Sequence, residues 1–294
     1  MPLPLASAIS YFQAIVLGLL QGVSELFPIS SLGHSVILPG LLGWDIQQND
    51  DFFLTFLVGT HLATALVLLG FFWRDWVRIV GGLWRSLQLR EIAPGDTDAK
   101  LGWMLVIGTI PAGIIGLLLE KQLRAIFASP ESAAAFLMVN GVLLYAAERL
   151  RRRAPGADMA LADGDQRIAR RVTWREALGI GSAQALALFP GISRSGATMG
   201  GGLLAGLSNE DAARFAFLLA TPIIGAAAAL KLPDLLGSQG DGVRGQTFVG
   251  ALCAAVTAYL AVRFLMRFFE TNRLTPFALY CLVAGAISLV VLAV

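Results

Sequence analysis

The stretch QGVSELFPISSLGH at 21–34 decides how this chain is read. It sits in a run from Met1 to Trp44 whose only charged residue is Glu25. Gln21 and Glu25 are four residues apart, so on a helix they share a face. Pro28 then pushes the residue before it out of the α region and ends that helix. Ser30, Ser31, Gly33 and His34 follow, on backbone expected to be irregular. A carboxylate at mid-membrane costs about 2.5–3.5 kcal/mol on insertion scales. Glu25 is therefore expected to face a polar cavity; the plainer reading is a carboxylate solvated at the membrane interface.

The surroundings explain why a membrane is invoked at all. Of 294 residues, 56% are hydrophobic and 14% charged, with mean hydropathy +0.70. Soluble domains carry about 25% charged residues. Uncharged stretches of bilayer length recur at 54–73, 101–119, 245–262 and 274–294. Those at 132–147 and 215–230 are slightly shorter and span once flanking polar residues, Lys231 among them, snorkel. The expected fold is an all-α polytopic membrane protein with six full spans, near 54–73, 101–119, 132–149, 212–230, 245–264 and 274–294. Cys253 and Cys281 both lie in apolar segments, which argues against a disulfide framework or a Cys-based metal site. The N-terminus lacks a basic n-region and reads as the start of the first membrane segment. A net charge of +2, with its bases in loops, gives no reason to expect nucleic acid.

Those bases fix an orientation. Seventeen of the 22 lysines and arginines fall in 74–100, 149–175 and 263–273 or beside the link at 208–211. The alternate loops hold only Lys121, Arg124, Lys231 and Arg244, and the link 44–53 is acidic. The positive-inside rule places the first set in the cytoplasm. The segments 1–43 and 176–207 must then each enter and return, as Gly- and Pro-broken re-entrant hairpins inserted from opposite sides. The two hairpins also resemble each other. At a separation of 163, Gln21 matches Gln184, Ile29 matches Ile192, Ser30 matches Ser193 and Gly33 matches Gly196. The expected organisation is an inverted repeat: 1–150 as the first half, 151–175 as a basic cytoplasmic linker, mobile in 151–171, and 176–294 as the second half. The polar hairpins should meet near the bilayer midplane.

The second hairpin carries PGISRSGAT at 190–198. Arg194 is flanked by Ser193 and Ser195, with Gly191, Gly196 and Thr198 nearby. A guanidinium binds phosphate oxygens bidentately. Glycines let backbone N–H groups approach an anion, and a helix starting after the turn aims its positive end there. The plainer reading of Arg194 is an ion pair with Glu25, which is compatible with function because the pair can separate around substrate. In the first hairpin, hydroxyl, imidazole and carboxylate supply a nucleophile, an acid and a base, although a serine at a helix start is often only a cap. His61, inside the 54–73 span, reads as a packing hydrogen bond before it reads as a site residue. Trp73 and Trp76 read as interfacial anchors. Together these residues describe an anion site inside a membrane, suited to a phosphate or pyrophosphate on a lipid.

At this point both motifs resemble the signatures of the bacterial undecaprenyl-diphosphate phosphatases, the bacitracin-resistance family. QGVSELFPISSLGH is similar to its (E/Q)xxxE-containing signature and PGISRSGAT to its PGxSRSxxT signature, in that order, and RFAFLLATPIIGAAAALK and FFWRD add to the likeness. The resemblance implies hydrolysis of undecaprenyl diphosphate for peptidoglycan synthesis and a site opening to the periplasmic side of the inner membrane. It implies a divalent cation, Mg²⁺ or Ca²⁺, with Glu25 and Gln21 as its candidate ligands. It makes Glu25, Ser31, His34 and Arg194 the candidate catalytic residues. Gln21, Ser30, Gly191, Ser193, Ser195, Gly196 and Thr198 become the candidate substrate-binding residues. Glutamine at 21 weakens a carboxylate-only metal scheme, since an amide oxygen ligates but brings no charge. The attacking group is Ser31 or a water. The expected partners are the polyprenyl diphosphate and membrane lipids, and a homodimer stays open as an assembly. The rival is a lipid-phosphate or anion transporter, which needs the anion clamp but neither nucleophile nor proton donor.

Overall fold

Pro28 ends the first helix where the sequence predicts. In the computed structural model, which describes residues 9–46, 51–127, 129–151, 163–237 and 241–293, α1 (Tyr11–Leu26) opens on a Ser10–Gln13 capping box and stops at an extended Phe27. Then follow α2 (Ser31–Leu42), α3 (Asp51–Phe71), α4 (Trp73–Leu89), α5 (Thr97–Phe127) and α6 (Pro130–Leu150). After them come α7 (Gly164–Arg171), α8 (Trp174–Ala183), a 3₁₀ turn at Gln184–Leu188, α9 (Arg194–Leu204), α10 (Asn209–Leu236), α11 (Arg244–Phe269) and α12 (Thr275–Leu292). No strand occurs among the described residues.

Six of these helices are long and apolar enough to cross a membrane: Phe53–Phe71, Thr97–Leu119, Pro130–Leu150, Asn209–Pro233, Arg244–Phe269 and Thr275–Leu292. Each matches an expected span, most with added turns at the ends. The turns added at helix starts are polar because helix starts use polar caps. Ser208, for example, accepts from the N–H of Asp211, with Glu210 and Asp211 in the first turn of α10.

The two broken segments pack in matching ways. α1 lies on α11 and α8 lies on α5, while α3 meets α10 and α6 meets α12. Both outer crossings are made at glycine. A Cβ at Gly18 would run into the backbone of Gly250, and one at Gly181 into the backbone of Gly108. Only glycine lets helix backbones approach this closely in an apolar medium.

Two regions differ from the sequence reading. The segment 74–100, read as a loop, holds α4, with Trp73, Val77, Val80, Trp84 and Leu87 exposed and Ile79, Gly82 and Ser86 buried. Its arginines interrupt the hydropathy of a span but leave a helical stripe intact. Trp76, expected as an interfacial anchor, packs against the main core. The stretch read as a mobile linker contains α7, docked by charge. Asp165, 1% exposed, holds Arg78 of α4 at 2.6 Å and Arg214 of α10 at 2.7 Å. Arg167 holds Asp211 at 2.7 Å, which keeps the Arg167 guanidinium well above its ordinary range. Residues 1–8, 47–50, 152–162 of the expected linker and the side chains of Lys121 and Arg124 lie outside the described residues.

Candidate active site

The two broken segments meet at their breaks. A Cβ on Gly33 would sit 2.7 Å from Cα of Gly191, so backbone touches backbone there. Gly191 has φ +109°, and a Cβ on it would strike the carbonyl of Ala133 in α6. Glycine is required at 191 on both counts. α2 and α9 start beside this contact, each capped by a serine that accepts from the N–H three residues on: Ser30 from Gly33 at 3.2 Å, Ser193 from Gly196 at 3.1 Å. Both helices therefore place their positive ends at the crossing.

Asn140 of α6, buried, fastens the breaks together. Its Nδ2 donates to the carbonyl of Pro28 at 2.9 Å, and its Oδ1 accepts from the N–H of Ser193 at 3.0 Å. Ser195 reinforces the joint, donating to the carbonyl of Phe27 at 3.2 Å.

Glu25, in the last turn of α1, is the hub. Its Oε1 accepts from Arg194 Nη2 at 2.5 Å. Its Oε2 accepts from the hydroxyl of Ser31 and from Nε2 of Gln21, the latter at 3.1 Å. His61 Nε2 lies 3.3 Å from the same oxygen. The carboxylate is buried but fully partnered, which an ionised group in an apolar interior requires. A hydroxyl held on a carboxylate beside an arginine can act as a nucleophile, its base and an anion clamp.

Most of the sequence-picked residues meet here, with exceptions of detail. Ser31, Gly33 and His34 do not lie on irregular backbone; they form the first turn of α2, and only Ser30 is left-handed, with φ +70°. His34 is turned away from Glu25. Its Nδ1–H donates to the carbonyl of Ser30 at 2.7 Å, so its Nε2 accepts from Tyr280 Oη at 2.8 Å, and the two rings stack. Thr198 is also turned inward, donating to the carbonyl of Arg194 at 2.8 Å. The expected cradle of N–H groups over 191–196 shrinks as well. Those of Ile192, Ser193 and Gly196 are bonded to Phe189, Asn140 and Ser193. The N–H groups of Arg194 and Ser195, the first two of α9, are left facing no acceptor among the described residues, as helix starts leave them.

The ring that reaches Glu25 belongs to His61, which sequence reading leaned toward packing. Asn140 and Tyr280 went unnoticed. An amide in the apolar run LMVNGVLLY is a legible signal, since uncharged polar residues in spans are expensive and placed. A tyrosine in a span gives no such signal.

Comparison with known proteins shows the family. The family profile described as bacitracin resistance protein BacA matches residues 14–287. The chain belongs to the BacA family. Among its relatives in the BacA family, one named undecaprenyl-diphosphatase, from Mycolicibacterium paratuberculosis, is 52% identical over 302 residues, covering 97% of this chain and 98% of the relative. One from Mycobacterium avium, with the same name, is 51% identical, covering 98% and 99%. One from Acidiphilium cryptum, also so named, is 46% identical, covering 95% and 97%.

Proposed function

We propose that this chain is an integral membrane phosphatase that hydrolyses undecaprenyl diphosphate to undecaprenyl phosphate and inorganic phosphate. It thereby recycles the carrier lipid for peptidoglycan synthesis and confers bacitracin resistance. The observation that carries this is Glu25, bound at once to the Ser31 hydroxyl and the Arg194 guanidinium. The names of its full-length relatives supply the substrate.

Phosphoryl transfer depends on charge neutralisation and in-line positioning. Arg194 leaves Glu25 and takes the terminal phosphate, with the N–H groups of Arg194 and Ser195 beside it. Freed of the guanidinium, Glu25 accepts the Ser31 proton as Oγ attacks the phosphorus. His34, released from Tyr280 and protonated at Nε2, serves as acid for the leaving lipid phosphate or as stabiliser of its developing charge. Water then hydrolyses the phosphoserine. The residues present also fit a divalent cation shared with substrate. Glu25 supplies charge, and the buried Oε1 of Gln21 has no hydrogen-bond partner. A bound Mg²⁺ or Ca²⁺ would supply charge neutralisation on the diphosphate, needing few protein ligands when phosphate oxygens complete its shell.

The inverted repeat and its re-entrant hairpins belong to this reading. The paired glycine crossings at Gly18 and Gly181, 163 residues apart, support them, as do the serine caps at the same separation. The distribution of bases supports a site open to the periplasmic side of the inner membrane. Purified protein in detergent should release phosphate from undecaprenyl diphosphate, a setting in which transport has no meaning. Ser31→Ala should abolish that release; near-normal turnover would exclude the covalent route and leave water as the attacker.

A further inference from the structure

Ser31 and His34 stand three residues apart on α2, so their side chains leave neighbouring points of one helix face. Ser31 reaches Glu25 from that face and His34 does not. The difference lies in the rotamer of the imidazole, which two contacts hold. Nδ1 sits 2.7 Å from the carbonyl of Ser30, and Nε2 sits 2.8 Å from Tyr280 Oη. The imidazole and phenol planes lie 12° apart, with centroids at 5.8 Å. A phenol donates to a bare ring nitrogen and accepts from a protonated one, so Tyr280 holds the ring in either state of Nε2.

The tyrosine is the fixed member of this pair. α12 meets α6 backbone to backbone: a Cβ on Gly285 would come within 2.7 Å of the carbonyl oxygen of Ala134, and one on Gly141 within 2.8 Å of that of Ala278. Cys281, with no exposed surface, accepts from Nδ2 of Asn140 at 3.3 Å, and Asn140 also holds Pro28 and Ser193. The joint between the broken segments therefore sets where residue 280 stands. Tyr280 itself is 44% exposed, and its hydroxyl has no other hydrogen-bond partner among the described residues. The close packing of α12 makes no use of that oxygen. A hydroxyl in an apolar span is costly unless it is bonded, and this one is bonded to a candidate catalytic ring.

We propose that Tyr280 is a positioning residue: it parks His34 off the Glu25 face while the site is empty, and a lipid diphosphate arriving at Arg194 frees the ring to turn back. This rests on the hydrolase reading above and adds a residue, outside both signature motifs, that decides when His34 can act. Parking leaves Glu25 to Gln21, Ser31, His61 and Arg194, with no second imidazole competing for the carboxylate. Substrate then has to break the Tyr280 bond as it binds. The hydroxyl therefore weakens substrate binding and takes no part in the reacting complex.

Tyr280→Phe tests this by removing the hydroxyl and keeping the ring. The purified full-length chain in detergent, assayed with undecaprenyl diphosphate, should show KM lowered by about two- to tenfold, the worth of one hydrogen bond, with the change falling on KM and not on kcat. A tyrosine that only supports the fold, or one that joins the chemistry, would lower kcat; a lowered kcat or an unchanged KM overturns the proposal. A second readout needs no substrate. The chain has two histidines, His34 and His61, so ¹⁵N-histidine labelling reports two rings, told apart by His61→Gln. Tyr280→Phe should move the Nε2 resonance of His34 and leave that of His61 in place. An unmoved His34 resonance overturns the proposal whatever the kinetics show. A wild-type chain that releases no phosphate would instead defeat the hydrolase reading.

Discussion

The two broken segments share a scaffold and divide the chemistry. Gln21 and Gln184, Ser30 and Ser193, and Gly33 and Gly196 stand 163 residues apart, and the two serines cap their helices by the same hydrogen bond. Gly18 and Gly181, at that same separation, each admit a neighbouring helix to backbone contact. At the functional positions the likeness ends. Glu25 corresponds to Leu188, Ser31 to Arg194 and His34 to Ala197. The shared residues are those that bend, cap or pack the backbone. The divergent ones carry charge or an acid–base group. Opposite charges on matching scaffolds can meet without either half carrying both.

The sharpest way to break this division is to remove the charge that only the second segment has. Arg194→Ala should lower phosphate release by about 10³-fold or more, the scale at which an arginine acts in phosphoryl transfer; full activity would sink the clamp. Asn140→Leu attacks the joint between the segments. It strands the N–H of Ser193 and leaves the carbonyl of Pro28 only a long contact from Cys281 Sγ, and the loss should cost about 1–3 kcal/mol, read as a lowered unfolding temperature in detergent. The glycine crossings test whether the scaffolds are equivalent. Gly18→Ala and Gly181→Ala should each destabilise by about 1–3 kcal/mol, since either Cβ meets backbone that cannot move aside. A large cost at one and none at the other would show that only one crossing is required. The caps give the smallest effect and the clearest asymmetry. Ser30→Gly removes a left-handed φ and should be neutral or stabilising by up to about 1 kcal/mol, whereas Ser193→Gly, at φ −84°, should destabilise by a few tenths.

Much of this was legible in the sequence because a membrane reduces the choices. Uncharged runs located all six spans, and Pro28 and Pro190 with their serines located the breaks. The contact between Glu25 and Arg194 stood in the sequence as the plainer reading of that arginine, and the structure contains it. What stayed hidden depends on rotation about helix axes. Spacing puts Gln21 and Glu25 on one face, but nothing in TFLVGTHLATALV states that His61 turns toward α1. The glycine-mediated approach of neighbouring helices sets that rotation, and it is a property of pairs of helices. α4 was missed for a different reason: its charges were counted by loop, while its apolar positions recur at helical spacing.

The pairing of Glu25 with Arg194 spans 169 residues of chain. At about 5–20 residues per second, the ribosome needs about 8–34 s to make the second partner after the first. For that interval the newly inserted amino-terminal half holds a carboxylate whose guanidinium does not yet exist. The joined cluster is therefore a product of late synthesis: a nascent chain halted before the second broken segment has Glu25, the Ser31 hydroxyl and the His61 ring, but not the guanidinium bonded to the carboxylate.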